Sequence, residues 1–282
     1  MKKILILGSD GMAGNMIYRY LSTLNEYDIK CLSRSNVSGI PSEYFDIESD
    51  ELYNIISDNE FDYVINCIGV LVKACQDNPI RAIFVNSYFP HYLEKRTKGT
   101  STKIIHISTD CIFSGIKGDY TINDIPDEKS WYGRTKALGE IVNDKDLTIR
   151  TSIIGPEVRK EGVGLFKWFM EQTGQVGGYP QCFWNGVTTL ELARFMYFAM
   201  EHKLTGLVQL STSNKISKYE LLSLIVETFN KIGTSVVRAD GIVQDKSLIS
   251  TVNHLYYVQE YREQLTELRI FMENYYKIVE RS

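Results

Sequence analysis

Three regularly spaced glycines follow the first apolar segment and restrict the fold of this chain most. Residues 4–7 are apolar, Gly8, Gly11 and Gly14 follow, and residues 16–21 have a helical pattern. A strand, a G-x-x-G-x-x-G turn and a helix in this order are typical of a dinucleotide-binding βαβ unit. In such a unit Gly8 permits the tight turn, Gly11 admits a pyrophosphate, and Gly14 lets the helix pack closely. The free N–H groups at the start of the helix then bind the phosphates.

Strand-like apolar segments alternate with helical segments as far as residue 154. The later predicted strands cover residues 29–32, 61–66, 103–108 and 147–154. This alternation predicts an α/β fold with a Rossmann-type doubly wound parallel sheet. After residue 156 the pattern changes, which predicts a smaller C-terminal α/β region. We therefore assign an NAD(P)-binding domain to residues 1–155 and a substrate-binding region to residues 156–282, with an interleaved boundary.

The remaining segments give more local predictions. Helices are predicted at residues 51–56 after an Asp50 cap, at residues 79–98 with a bend at Pro90, at residues 130–143, and at residues 217–229 after a Ser217–Glu220 capping box. Flexible and aromatic loops are predicted at residues 174–178 and 183–186. A final helical stripe consists of Tyr261, Leu265, Leu268, Met272 and Tyr275. This stripe indicates core packing or a subunit contact, which leaves a homodimer possible.

Composition excludes several classes of protein. The 282 residues carry a net charge of −4 and no basic tract, which disfavours nucleic-acid binding. No apolar run approaches the roughly 20 residues of a membrane span, and the N-terminus lacks the features of a signal peptide. The five cysteines are scattered without metal-binding spacing, so we predict no metal site. Reduced thiols in a cytoplasmic protein are the expectation.

A second constellation points to proton transfer. The apolar segment 104–107 leads into Ser108 and Thr109, and Tyr132 and Lys136 lie one helical turn apart. A phenol with its ordinary pKa near ~10 is a poor acid or base at neutral pH. A nearby ammonium is expected to lower that pKa, while a threonine hydroxyl holds the same carbonyl oxygen. The set therefore suits protonation of a carbonyl oxygen during hydride transfer.

The end of the second predicted strand bears on the choice of cofactor. An NAD-selective site normally has an acidic residue here to bind the ribose 2′-hydroxyl. This chain has Ser33 and Arg34 instead. These residues suit a 2′-phosphate, so NADP(H) is preferred and NAD(H) remains possible.

The motifs resemble those of the extended short-chain dehydrogenase/reductase family. Within that family the chain is similar to the dTDP-4-dehydrorhamnose reductases, through residues 107–115, 132–140 and 150–152. The resemblance covers most of residues 1–155. It implies reduction of a nucleotide-linked 4-keto-6-deoxy sugar, in deoxysugar synthesis for surface polysaccharide, with Thr109, Tyr132 and Lys136 as the catalytic residues.

The motifs and the resemblance together give two sets of predicted contacts. The cofactor-binding residues are Gly8, Asp10, Gly11, Met12, Ala13, Ser33, Arg34, Asp46, Ile47, Cys67, Ile68, Gly69, Tyr132 and Lys136. The substrate-binding residues are Thr109, Asp110, Tyr132, Ile153 and Trp184.

The chain departs from the reductase pattern near the expected substrate site. Residues 70–73 lack the usual polar motif, and Ile153 stands where many of these reductases have tryptophan. Two alternatives therefore remain open. One is a nucleotide-sugar epimerase or dehydratase with tightly bound NAD. The other is a non-catalytic NADP-binding protein, like the regulatory subunit of methionine adenosyltransferase.

Overall fold

A seven-stranded parallel sheet forms the centre of the protein. The computed structural model describes residues 1–35, 37, 39–48, 56, 61–159 and 161–276. In spatial order the strands are β11 (Gly206–Gln209), β6 (Leu147–Arg150), β5 (Lys103–Ile107), β4 (Tyr63–Asn66), β1 (Lys2–Leu7), β2 (Tyr27–Ser33) and β3 (Glu43–Tyr44). Each neighbouring pair is parallel, which confirms the predicted doubly wound sheet.

Helices cover both faces of this sheet. The helices of the described residues are α1 (Met12–Leu24), α2 (Val72–Asp77), α3 (Pro79–Ala82), α4 (Phe89–Arg96), α5 (Trp131–Leu138), α6 (Leu165–Glu171), α7 (Thr189–Glu201), α8 (Lys218–Thr228) and α9 (Tyr261–Tyr275). Of these, α6 and α8 pack in a separate core of the second half and not on this sheet. Along β1, Ile4 and Ile6 belong to the core beneath α1 and α7, whereas Leu5 and Leu7 belong to the opposite core with Phe89. This alternation explains why the whole strand is apolar: consecutive side chains point into two different cores.

The long helix predicted at residues 79–98 is divided. A π-helical turn at Ile83–Tyr88 separates α3 from α4, so the irregularity precedes Pro90. Asn86 lies within this turn, accepts a hydrogen bond from the Val70 N–H (2.8 Å) and donates to Thr135 Oγ1 (3.2 Å). These contacts of Asn86 join the loop after β4 to helix α5.

Three other local predictions need correction or fall outside the described residues. Residues 174–178 and 183–186 were predicted as loops. For residues 174–178 that prediction is wrong, because β8 (Gly174–Gly178) pairs with β13 (Thr234–Arg238). For residues 183–186 it is wrong at the first two positions, which belong to β9 (Cys182–Trp184), whereas residues 185–186 lie outside the strands. Strand β9 pairs with β12 (Ile216–Ser217) and β14 (Gln244–Asp245). Helix α5 ends at Leu138, before the predicted residue 143. The predicted helix at residues 51–56 lies, apart from Ile56, outside the described residues.

The two halves of the chain share one core. Strand β11 of the second half completes the main sheet beside β6, and α7 packs against α1. The Ser217–Glu220 capping box is present. In the C-terminal stripe Tyr261, Leu265 and Leu268 are buried. Within the described ranges, no helix has the length and apolar character needed to cross a membrane.

Candidate active site and cofactor cleft

Thr109 and Tyr132 are brought together by a short turn and the start of helix α5. The Thr109 side chain caps the 3₁₀ turn Asp110–Ile112 by accepting a hydrogen bond from the Cys111 N–H (3.1 Å). Helix α5 packs closely on this turn, since a Cβ at Gly133 would lie 2.5 Å from the Cys111 carbonyl oxygen. Tyr132 directly precedes that contact, and the Thr109 hydroxyl acts to lower the pKa of its phenol.

The Tyr132 phenol is in its protonated form at neutral pH. Burial raises its pKa above the ordinary value, and the Thr109 hydroxyl opposes this only in part. The expectation that Lys136 lowers the pKa of Tyr132 is therefore wrong, because the effect of burial dominates. A protonated phenol is nevertheless the form that a proton donor requires.

Lys136 is buried between helix α5 and strand β5. Its ammonium donates to the Ile107 carbonyl oxygen (2.8 Å) and lies 3.4 Å from His106 Nε2. Burial lowers the pKa of Lys136 to about 8, while the Glu140 carboxylate opposes this. Burial also holds the pKa of His106 well below its ordinary value, and the Lys136 charge adds to this. His106 is therefore a neutral neighbour of Lys136, and Asn66 Nδ2 contacts its other ring nitrogen (3.1 Å).

A buried ion pair fixes the elements around these residues. Arg150 Nε and Nη2 each lie 2.8 Å from a carboxylate oxygen of Glu140, and Ser108 Oγ donates to the same carboxylate (2.7 Å). The pair joins β5, β6 and the segment after α5. A bidentate, hydrogen-bonded pair of this kind gives geometric specificity. The roles of His106 and Glu140 were not predicted from the sequence, where each is only a polar residue within or beside an apolar segment.

A cleft opens beside the glycine turn at the carboxyl end of the sheet. Its lining residues are Gly8, Gly11, Ser33, Arg34, Phe45, Ile47, Cys67, Ile68, Gly69, Val70, Arg81, Val85 and Arg159. Eight of these were predicted to bind the cofactor. The other predicted residues, Asp10, Met12, Ala13, Asp46, Tyr132 and Lys136, do not line this cleft. Arg81 and Arg159 line it and were missed because they lie far from any recognised motif.

The residues of the cleft fit a dinucleotide. Gly8 has a φ of +85°, and a Cβ at Gly14 would lie 2.4 Å from the Gly8 carbonyl oxygen, so both positions require glycine. Helix α1 has no side-chain cap, which leaves its first N–H groups available to phosphate oxygens. The Nε atom of Arg159 is buried without a hydrogen-bond partner among the described residues, whereas Arg81 Nε lies 3.3 Å from the Glu48 carboxylate. The orphaned donor of Arg159 suits an anionic ligand.

Ser33 and Asp10 have a different arrangement from the predicted one. Ser33 Oγ donates to Asp10 Oδ2 (3.0 Å), and Ser35 Oγ donates to the same oxygen (2.9 Å). The Ser33 side chain is therefore bound to a carboxylate, which makes it a poor ligand for a 2′-phosphate. Arg34 is exposed at the same end of β2 and remains suited to that group.

The predicted substrate residues are distributed over two environments. Asp110 is buried beside Thr109, and Ile153 begins the short strand β7 (Ile153–Ile154) with partial exposure. Trp184 is buried in the core of the second half, where its ring stacks on Tyr261 with centroids 5.6 Å apart. Trp184 thus supports the substrate region from within the core.

Comparison with known proteins agrees with this arrangement. The family described as RmlD substrate binding domain matches residues 1–245. The "dTDP-4-dehydrorhamnose reductase" of Mycolicibacterium smegmatis is 31% identical over 142 residues, which cover 49% of this chain and 40% of that protein. The mouse "Methionine adenosyltransferase 2 subunit beta" is 23% identical over 81% of this chain and 72% of its own.

Solved structures show the same fold. A dTDP-4-dehydrorhamnose reductase from Clostridium acetobutylicum has a TM-score of 0.78 at 21% identity, covering 96% of this chain and 99% of its own. A Bacillus anthracis dTDP-4-dehydrorhamnose reductase in complex with NADP has a TM-score of 0.78 at 18% identity, with the same coverage. The match across residues 1–245 establishes that this chain belongs to the RmlD substrate binding domain family.

Proposed function

We propose that this protein is an NADPH-dependent reductase of a nucleotide-linked 4-keto-6-deoxy sugar. The observation that carries the proposal is the placement of Thr109, Tyr132 and Lys136 at the carboxyl edge of the sheet that also carries the glycine turn. In parallel α/β sheets, ligands bind at this edge. The named reductases among the relatives support the same activity, and synthesis of deoxysugars for surface polysaccharide is the role we propose for it.

Each catalytic residue has a distinct task in this mechanism. The bound NADPH supplies the hydride. Tyr132 donates its phenolic proton to the C4 carbonyl oxygen of the sugar, and the Thr109 hydroxyl holds that oxygen in position. The Lys136 ammonium binds the nicotinamide ribose and offsets negative charge that develops on the Tyr132 oxygen as the proton leaves. The Glu140–Arg150 pair keeps the supporting elements in register.

The position of the Lys218 ammonium favours a substrate that contains a diphosphate. Its ammonium lies 5.2 Å from the centroid of the Trp184 ring, and burial lowers its pKa. It has no hydrogen-bond or ion-pair partner among the described side chains. Lys246 is paired with Glu128 at 3.3 Å, and the charges of both lysines oppose the effect of burial, which raises the pKa of the Asp110 carboxyl. A lysine that is partly buried without an acceptor is suited to an anionic group of the ligand.

We expect Lys218→Met to weaken binding of the sugar nucleotide selectively. Loss of a charged hydrogen bond costs about 1.5–3 kcal/mol, so KM for the sugar nucleotide should rise roughly ten- to hundredfold. Both kcat and the Kd for NADPH should change little. Lys215→Met is the matched control, because Lys215 is paired with Asp119 and Asp245. An unchanged KM for Lys218→Met would show that Lys218 does not bind the substrate.

We expect Arg34→Ala to reduce the preference for NADPH. Loss of its contact with the 2′-phosphate should cost about 1.5–3 kcal/mol of NADPH binding and leave NADH binding nearly unchanged. Fluorescence titration with both cofactors measures the difference. Equal NADPH affinity in the variant and the wild-type protein would show that another residue holds the 2′-phosphate.

One assay tests the proposed activity as a whole. Purified protein is mixed with NADPH and a panel of nucleotide-linked 4-keto-6-deoxy sugars, and cofactor oxidation is followed by absorbance. The proposal expects turnover with at least one sugar. A panel without turnover, combined with tight NADPH binding, would favour a non-catalytic role. The longer alignment with the mouse methionine adenosyltransferase subunit makes that role the second candidate.

A further inference from the structure

We propose that Arg159 binds the pyrophosphate of the dinucleotide cofactor from the substrate-binding half of the protein. The inference rests on the proposed function in one respect, namely that the ligand of the cleft is a dinucleotide. Arg159 follows strand β7 and lines the same cleft as Gly8 and Gly11. Its Nε atom is buried and has no hydrogen-bond partner within the described part of the chain.

The segment that carries Arg159 is fixed in place by its own contacts. The Arg159 carbonyl oxygen accepts hydrogen bonds from the Gly162 N–H (3.1 Å) and from Lys167 Nζ (2.8 Å). The Glu157 carboxylate accepts a hydrogen bond from the Gly164 N–H (2.6 Å). These three bonds hold both ends of the turn, so the Arg159 side chain extends from a preorganised backbone. Preorganisation reduces the entropy cost of binding a ligand.

The position of this segment selects the pyrophosphate among the phosphates of the cofactor. A Cβ at Gly164 would lie 2.6 Å from Met12 Cε, which places the segment against the first residue of helix α1. The N-terminus of that helix is where the pyrophosphate binds in this fold. Arg34, by contrast, follows strand β2 at the adenosine ribose end. Arg159 and Arg34 are therefore assigned to different phosphate groups of the cofactor.

Calorimetric titration with four ligands tests this assignment without any sugar substrate. The ligands are NADPH, NADH, ADP-ribose and adenosine 2′,5′-bisphosphate, which has a 2′-phosphate but no pyrophosphate. Arg159→Ala should weaken the first three roughly ten- to hundredfold and the bisphosphate much less. Arg34→Ala should weaken NADPH and the bisphosphate but spare NADH and ADP-ribose. Because only binding is measured, failure of the reductase proposal would not alter these results.

Two further variants serve as controls for loss of the folded structure. Arg269→Ala is the control, since the Arg269 Nε atom is also buried without a hydrogen-bond partner among the described residues, while Arg269 pairs with Glu273 and does not line the cleft. Arg159→Gln removes the charge but keeps a long polar side chain, and it replaces Arg159→Ala in the test if that variant does not fold. Unchanged binding of NADH and ADP-ribose by the uncharged variant would overturn the proposal. A loss confined to NADPH and the bisphosphate would also overturn it, because Arg159 would then bind the 2′-phosphate.

Discussion

Replacement of Tyr132 by phenylalanine should lower kcat by roughly 10²–10⁴-fold, the usual contribution of general acid catalysis. The change removes only the hydroxyl, so the ring continues to pack beside Thr109 and the affinity for NADPH should stay close to that of the wild-type protein. Because burial raises the pKa of Tyr132, the phenol remains protonated through neutral pH. We therefore expect no loss of wild-type turnover near neutrality from ionisation of this group.

Two measurements distinguish an effect of Tyr132→Phe on the chemical step from an effect on cofactor binding. Single-turnover kinetics report the hydride-transfer step, while calorimetry reports NADPH affinity. Thr109→Val, which keeps a similar shape but removes the hydroxyl, should also lower kcat without lowering NADPH affinity. Turnover of Tyr132→Phe within a few-fold of the wild-type rate on the true substrate would rule out Tyr132 as the proton donor.

Replacement of Lys136 by methionine should reduce both turnover and cofactor affinity. The ammonium is assigned to the nicotinamide ribose, so its loss should cost about 1.5–3 kcal/mol of NADPH binding in addition to the loss of kcat. Methionine fits the buried position as a flexible apolar side chain of similar length. Binding and turnover that remain unchanged in this variant would be incompatible with the assigned role.

The pH dependence of NADPH binding gives an independent check on Lys136. Its pKa is lowered to about 8, so the ammonium predominates below that pH and is lost as the pH rises through it. NADPH affinity of the wild-type protein should therefore fall as the pH rises past about 8. The Lys136→Met variant should lack this decrease. Titrations of both proteins over the same pH range measure the difference.

The sequence predicted the parts of the site whose signals are local. The glycine turn could be predicted because strand, turn and helix follow one another directly. Tyr132 and Lys136 could be predicted because both lie on one helix. The π-helical turn around Asn86 was not predictable, since it depends on contacts with Val70 and Thr135. Such contacts form only after distant segments pack together.

Other features could not be predicted from the sequence for the same reason. Strand β8 is glycine-rich and its partner β13 lies about 60 residues later, so local propensity favoured a loop. The binding of Ser33 to Asp10 joins the end of β2 to the glycine turn and could not be read from either segment alone. Arg159 reaches the cleft from the second half of the chain. Each of these differences is set by tertiary contacts between segments that are far apart in sequence.

Transfer of deuterium tests the central claim most directly. The protein is incubated with a nucleotide-linked 4-keto-6-deoxy sugar and NADPH deuterated at nicotinamide C4, and the sugar product is examined by mass spectrometry and NMR. The proposed reductase should place a single deuterium on C4 of the sugar, and Tyr132→Phe should form this product far more slowly. If NADPH binds tightly while no sugar in the panel acquires deuterium at C4, the proposed reductase activity is contradicted.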